Sequence, residues 1–171
     1  MQKAVRFIAA GTLAAALALT GCAANPSSVA VVDGTMITER QVSEANAVVA
    51  SVIGADERQT RKKVALDLIM GTAAGKVAER NGVSITDSDR AALIASDQQA
   101  TQVAEEPAGL EWATAAATSI LLFQDLGEEK VRSELGSMDI VVNPRYGSWD
   151  SEVLGLTEGT GSLSTLWTPE G

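Results

Sequence analysis

Val29-Ala30-Val31-Val32-Asp33-Gly34-Thr35-Met36-Ile37-Thr38-Glu39-Arg40-Gln41 is the stretch that decides how this chain is read. Its first four residues suit a pleated strand, Asp-Gly is a preferred pair for a tight hairpin turn, and Thr35, Met36 and Ile37 can return as a second short strand. Thr38 with Gln41 three positions later is a capping-box signature. Val42, Ala45, Val49, Val52 and Ile53 then recur at helical spacing until Gly54, which predicts a first helix over 38–53.

Downstream the same period continues. Asp56 and Glu57 favour a second helix start, and Leu66, Ile69, Met70, Ala73 and Val77 form one apolar stripe that Asn81-Gly82 stops. Thr86 and Asp89 cap a weaker helix that runs through Leu93 and Ile94 towards Val103. Pro107 breaks the chain and opens a helix carrying Leu110, Ala113, Ala117, Ile120 and Leu121, with Gly127 at its end, and a short helix follows from Glu128 to Leu135. Ile140, Val141 and Val142 are the second β-branched run, ended by Asn143-Pro144. Isolated strands are unstable, so the run at 29–32 is expected to pair with the run at 140–142. From Ser151 onward Gly, Thr, Ser and Leu follow without a period, which reads as a flexible tail.

Upstream, Lys3 and Arg6 precede an apolar run over 7–19, and Leu19-Thr20-Gly21-Cys22 closes it. These are the parts of an export signal, and the run is shorter than the ~20 apolar residues a bilayer span needs. Leu19, Thr20 and Gly21 resemble the lipobox of bacterial lipoproteins, in which the following cysteine is diacylated and becomes the first mature residue. Cys22 is the chain's single cysteine, so no internal disulfide competes for its thiol. Two acyl chains suffice for stable membrane attachment where one is marginal. The expectation is an extracytoplasmic protein held to the bacterial cell membrane through Cys22, on a tether over 22–28 reaching at most ~20 Å.

Composition narrows the chemistry. The chain has 171 residues, a net charge of −9 and no histidine. Loss of Lys3 and Arg6 with a signal peptide makes the remainder more acidic still, which argues against nucleic acid and against polybasic membrane binding. Without histidine, and with the cysteine assigned to an anchor, the commonest general base, the thiol nucleophile and the soft metal ligands are missing. Neither Ser-x-x-Lys nor Gly-x-Ser-x-Gly occurs. Asp87 and Asp89 resemble the start of a calcium loop but lack its glycine and terminal glutamate, so capping is the better account. Glu105 and Glu106 suit the helix start at Pro107, and the glycines at 155–161 lack the setting of a phosphate loop. No catalytic, cofactor or metal site is expected. The dense basic cluster Arg58, Arg61, Lys62 and Lys63 is either a solvated helix face paired with carboxylates or an anion site. Trp112 falls off the main stripe of its helix and is either an apolar contact for a ligand or a core residue. Met70 and Phe123 join it as candidate peptide-binding residues.

Two segments resemble the N-terminal domain of SurA-like and PrsA-like extracytoplasmic chaperones. Residues 29–34 with Ile37-Thr38-Glu39 are similar to its opening. Ile140-Val141-Val142-Asn143-Pro144-Arg145-Tyr146-Gly147-Ser148-Trp149-Asp150 resembles the ending of short actinobacterial lipoproteins with a SurA N-terminal domain. The resemblance implies a helical domain that binds unfolded or newly exported polypeptide. The family's separate prolyl-isomerase domain, of the parvulin type, has no counterpart here, since no histidine exists and little chain follows Val142.

The expectations are therefore a mainly α fold, a bundle of four to five helices closed by a small two-stranded β element. Residues 1–21 are the signal, 22–28 the tether, 29–150 the chaperone-like domain and 151–171 the tail. The expected function is non-enzymatic holding of secreted or envelope polypeptides, with an adaptor that docks one dedicated envelope partner as the alternative.

Overall fold

The computed structural model describes residues 27–157. The fold is mainly helical, with six helices and a small antiparallel β component among the described residues. The lipobox Leu19, Thr20 and Gly21, with Cys22, lies outside the described residues.

Strand β1 (Ser28–Val32) enters the turn at Asp33 and Gly34, which have φ of 46° and 78°. Positive φ at both central residues is what a two-residue hairpin of matching twist requires, and glycine takes it without steric cost. The chain returns as β2 (Thr35–Thr38), pairing Val31 with Met36 and Val32 with Thr35. On its other side β1 pairs antiparallel with β3 (Ile140–Val142), through Ala30 to Val142, Val31 to Val141 and Val32 to Ile140. The β element is thus a three-stranded sheet of order β2-β1-β3 rather than a two-stranded one, because the return strand stays paired. Val29, Val32 and Ile37 are buried, each contributing about 1.5–3 kcal/mol.

Helix α1 (Glu39–Ile53) begins on the predicted capping box: Gln41 N–H donates to Thr38 Oγ1 at 3.2 Å and Thr38 N–H to Gln41 Oε1 at 2.8 Å. Helix α2 (Glu57–Asn81), about 37 Å long, packs on α1, on α5 and on the sheet. Its buried face combines Val64, Leu68, Ile69 and Val77 with the small Ala65, Ala73, Ala74 and Ala78. Asn46, fully buried on α1, donates to the Glu57 carbonyl at 3.0 Å and accepts from Thr60 Oγ1 at 2.6 Å, which fixes how α2 starts against α1.

The helix read as continuous from Thr86 towards Val103 is two helices, α3 (Asp87–Ala95) and α4 (Gln98–Val103). Ser96 Oγ donates to the Leu93 carbonyl at 2.6 Å, and Asp97 accepts from Ala100 N–H at 2.8 Å, so one helix closes and another is capped in successive residues. This break raises the count to six. Helices α5 (Pro107–Leu126) and α6 (Glu128–Gly136) follow as predicted, pivoting at Gly127.

Regular structure also runs past Ser151. Strand β4 (Ser148–Asp150) pairs with β5 (Gly155–Thr157), and Asp150 Oδ1 accepts from the backbone N–H groups of Glu152 and Val153 across the turn. The part of the expected tail from 151 to 157 therefore belongs to a hairpin; residues 158–171 lie outside the described residues. No helix among the described residues is long and apolar enough to cross a membrane.

Candidate functional site: an apolar surface along α5

Residues 112 and 123 are three helical turns apart, so Trp112, Ala116, Ile120 and Phe123 share one face of α5. Two depressions adjoin along that face. One, of about 570 Å³, is walled by Val49 and Ile53 of α1, by Val64 of α2, by Leu93, Ile94 and Val103 of α3 and α4, and by Trp112. The other, of about 540 Å³, holds Leu66, Met70 and Phe123. Lys63, Ala116 and Ile120 line both, so all three predicted peptide-contacting residues, Trp112, Met70 and Phe123, stand on one continuous surface. Each is partly buried against the core.

Trp112 is oriented by polar contacts. Its indole N–H donates to Asp67 Oδ2 at 2.8 Å, and the same oxygen takes Lys63 Nζ at 2.7 Å. The Lys63 ammonium stands 5.8 Å from the Trp112 ring centroid, within cation–π reach. The indole is thus pinned at its polar edge. Ile53 and Ile120, by contrast, are 43% and 48% exposed although large and apolar, and nothing among the described residues covers them. Helix α3, whose Leu93 and Ile94 form the far wall, has no fully buried residue. Sequence reading names Trp112, Met70 and Phe123 one by one, but its apolar stripe on this helix shares only Ile120 with the face of Trp112, Ala116, Ile120 and Phe123, and it misses Ile53, Leu93 and Ile94 as wall residues; the one available signal is apolar side chains on helices with few fully buried neighbours.

The basic cluster divides. Arg61 turns inward, with its guanidinium on Glu39 Oε2 at 2.7 Å and on the Tyr146 hydroxyl at 2.9 Å, while that hydroxyl donates to Glu39 Oε2 at 2.8 Å. Burial, reinforced by the hydrogen bond to Glu39, pushes the Tyr146 phenol up to about 12 against the opposing pull of Arg61. Lys63 is taken by Asp67; Arg58 and Lys62 stay exposed without an ion-pair partner among the described residues.

Asp89 closes the Thr86 capping box, and those hydrogen bonds hold its carboxyl below the usual range. Asp87 pairs with Arg90 at 2.5 Å. Asp89 caps as expected from the sequence, whereas Asp87 takes an ion pair that the sequence reading does not give. Among the described residues no group of three or more histidine, cysteine, aspartate or glutamate side chains could hold a metal ion. No family model matches the chain, and neither a curated protein nor a solved structure does.

Proposed function

We propose that the protein is a membrane-anchored, non-enzymatic holder of unfolded or newly exported polypeptide, attached through an acylated Cys22 and working on the extracytoplasmic face. The observation that carries this reading is the uncovered apolar surface from Trp112 to Phe123, about 16 Å long, which matches roughly five residues of an extended chain. Its lining is mainly apolar, with Lys63 and Asp67 engaged with each other and with Trp112 and with Ser96, Asp97, Gln99 and Gln124 among its polar members, so it offers mostly area and little directional code. Such a surface suits clients that share exposed apolar side chains and little else. In this reading the three-stranded sheet closes the end of the helical bundle and leaves the α5 face open.

Suppression of aggregation of a chemically unfolded model protein tests it, comparing the parent chain with Ile53→Asp/Ile120→Asp. Both isoleucines are already exposed, so the variant is expected to keep its melting temperature and lose suppression. Equal suppression by the two proteins would overturn the assignment of the site. Crosslinking in native membranes should capture many unrelated clients; one stoichiometric partner would replace the holding role with that of an adaptor. Labelling with an alkyne fatty acid should mark the parent and not Cys22→Ser.

A further inference from the structure

Arginine and lysine side chains of the described residues stand in ion pairs, except Arg58, Lys62, Lys76 and Arg145. Three of these four exceptions line one surface depression of about 400 Å³, together with Glu39, Arg61 and Tyr146. Glu39 is neutralised there by Arg61, so the surface presents the charges of Arg58, Lys62 and Arg145. In a chain whose net charge is −9 this concentration of unmatched cations is local and of the opposite sign.

Its position is tied to the start of the described chain. The Ser27 carbonyl accepts from Glu39 N–H at 2.8 Å, and the Glu39 side chain reaches Arg61 and Tyr146. The Ser28 carbonyl accepts from Asn143 Nδ2 at 2.9 Å, and Asn143 Oδ1 accepts from Arg145 N–H at 3.1 Å. Two short hydrogen-bonded links thus join Ser27 and Ser28 to the rim of the cluster. Only residues 23–26 separate Ser27 from Cys22, a span of at most about 18 Å.

We propose that Arg58, Lys62 and Arg145 form a docking surface for the anionic phosphate headgroups of a lipid bilayer, which orients the domain with the start of α2 and the Ser28 end of the sheet towards the membrane. The proposal rests on the Cys22 anchor for the nearness of the bilayer. This departs from the expectation drawn from net charge, which counts the whole chain: a Debye length of about 8–10 Å at ordinary salt screens the acidic groups on the far side of the domain from the local cluster. Asp56 and Glu57 precede Arg58 at the start of α2 and moderate the field; Asp56 Oδ1 accepts from the Arg58 backbone N–H at 2.8 Å but makes no ion pair with its guanidinium. Basic side chains at such a surface each strengthen binding by up to about fivefold, so the three together give a preference of up to about a hundredfold for anionic over neutral lipid.

Flotation of the chain from residue 22 onward carrying Cys22→Ser, with vesicles of phosphatidylcholine alone and of phosphatidylcholine mixed with phosphatidylglycerol, measures that preference without the acyl anchor and without the apolar run at 7–19. It should be present at low salt, fade as salt rises, and disappear in Arg58→Ala/Lys62→Ala/Arg145→Ala. An equally charge-reduced control, Arg40→Ala/Lys130→Ala/Arg132→Ala, should retain it. Absence of any preference, or equal loss in both triple variants, overturns the proposal. Inorganic phosphate at matched ionic strength should leave the preference intact; displacement by phosphate would make the cluster a site for the free anion instead. Fatty-acid labelling of the parent reports the anchor separately, so loss of label with the lipid preference kept removes the anchor and leaves the surface.

Discussion

Gly71 of α2 and Ala115 of α5 meet backbone to backbone: a Cβ on Gly71 would stand 2.5 Å from the Ala115 Cα and 2.6 Å from its carbonyl oxygen. The obstruction is main chain, so no side-chain rotation relieves it and the two longest helices would have to separate. Gly71→Ala should therefore destabilise the domain by about 1–3 kcal/mol despite the better helix propensity of alanine. Chemical denaturation measures it. Gly75, also on α2 and with open space where its Cβ would be, is the control, and Gly75→Ala should be neutral or stabilising.

Asn46 has no solvent exposure and holds α1 to the first turn of α2 through the Glu57 carbonyl and Thr60. Asn46→Leu keeps the branched shape but removes the donor to the Glu57 carbonyl and the acceptor of the Thr60 hydroxyl, which is left with only its longer contacts to the Asp56 and Glu57 carbonyls at 3.4 and 3.3 Å. A loss of about 1–3 kcal/mol is expected, from the desolvation of polar groups without partners. Thr60→Val removes the hydroxyl as well, so the double variant should cost less than the sum of the two single ones, and a double-mutant cycle by thermal melting reads that coupling.

What was legible in the sequence is what neighbouring residues decide. Thr38 with Gln41 and Thr86 with Asp89 name their helix starts, and Gly54 and Gly82 their ends, because each cap is a contact within one turn. The break at Asp97 was hidden by Leu93, Ile94 and Val103, whose apolar period spans it. Strand β5 is three residues with no β-branched run, and it exists through its pairing with Ser148, Trp149 and Asp150. The same division holds at the surface: Trp112 and Phe123 could be named as single apolar candidates off the main stripe of α5, whereas their alignment with the α1 and α3 walls, and Arg145 beside Lys62, are brought in by tertiary packing.

The ladder between β1 and β3 fixes another outcome. Asn143 N–H donates to the Val29 carbonyl and Asp33 N–H to the Asp139 carbonyl, each at 2.8 Å, so by antiparallel alternation Val31 and Val141 exchange both of their hydrogen bonds. The Val141 side chain is 58% exposed, and its contribution is mainly the backbone. Val141→Thr should be tolerated, while Val141→Pro removes the donor and should cost roughly 3 kcal/mol. A melting temperature unaffected by proline there would mean that β3 contributes nothing to the domain's stability.

Tyr146 is the chain's single tyrosine, so its ionisation is read directly from the ultraviolet absorbance of tyrosinate. Burial and the hydrogen bond to Glu39 favour the neutral phenol in the folded protein, with half-ionisation pushed up to about 12 from the ordinary 10.0. The folded state therefore holds the proton more tightly than the unfolded chain, and the slope of stability against pH is negative wherever their protonation differs. Tyr146 should leave stability unchanged below about pH 10 and reduce it as pH climbs from 10 to 12. Comparison with Tyr146→Phe isolates the phenol: the stability of that variant should lack this component of the decline. Glu39→Gln removes the carboxylate that accepts from the hydroxyl while Arg61 remains, and the tyrosinate transition should move down. A transition at the ordinary value in the folded parent, unmoved in Glu39→Gln, would mean that Glu39, Arg61 and Tyr146 do not form a joined cluster in solution.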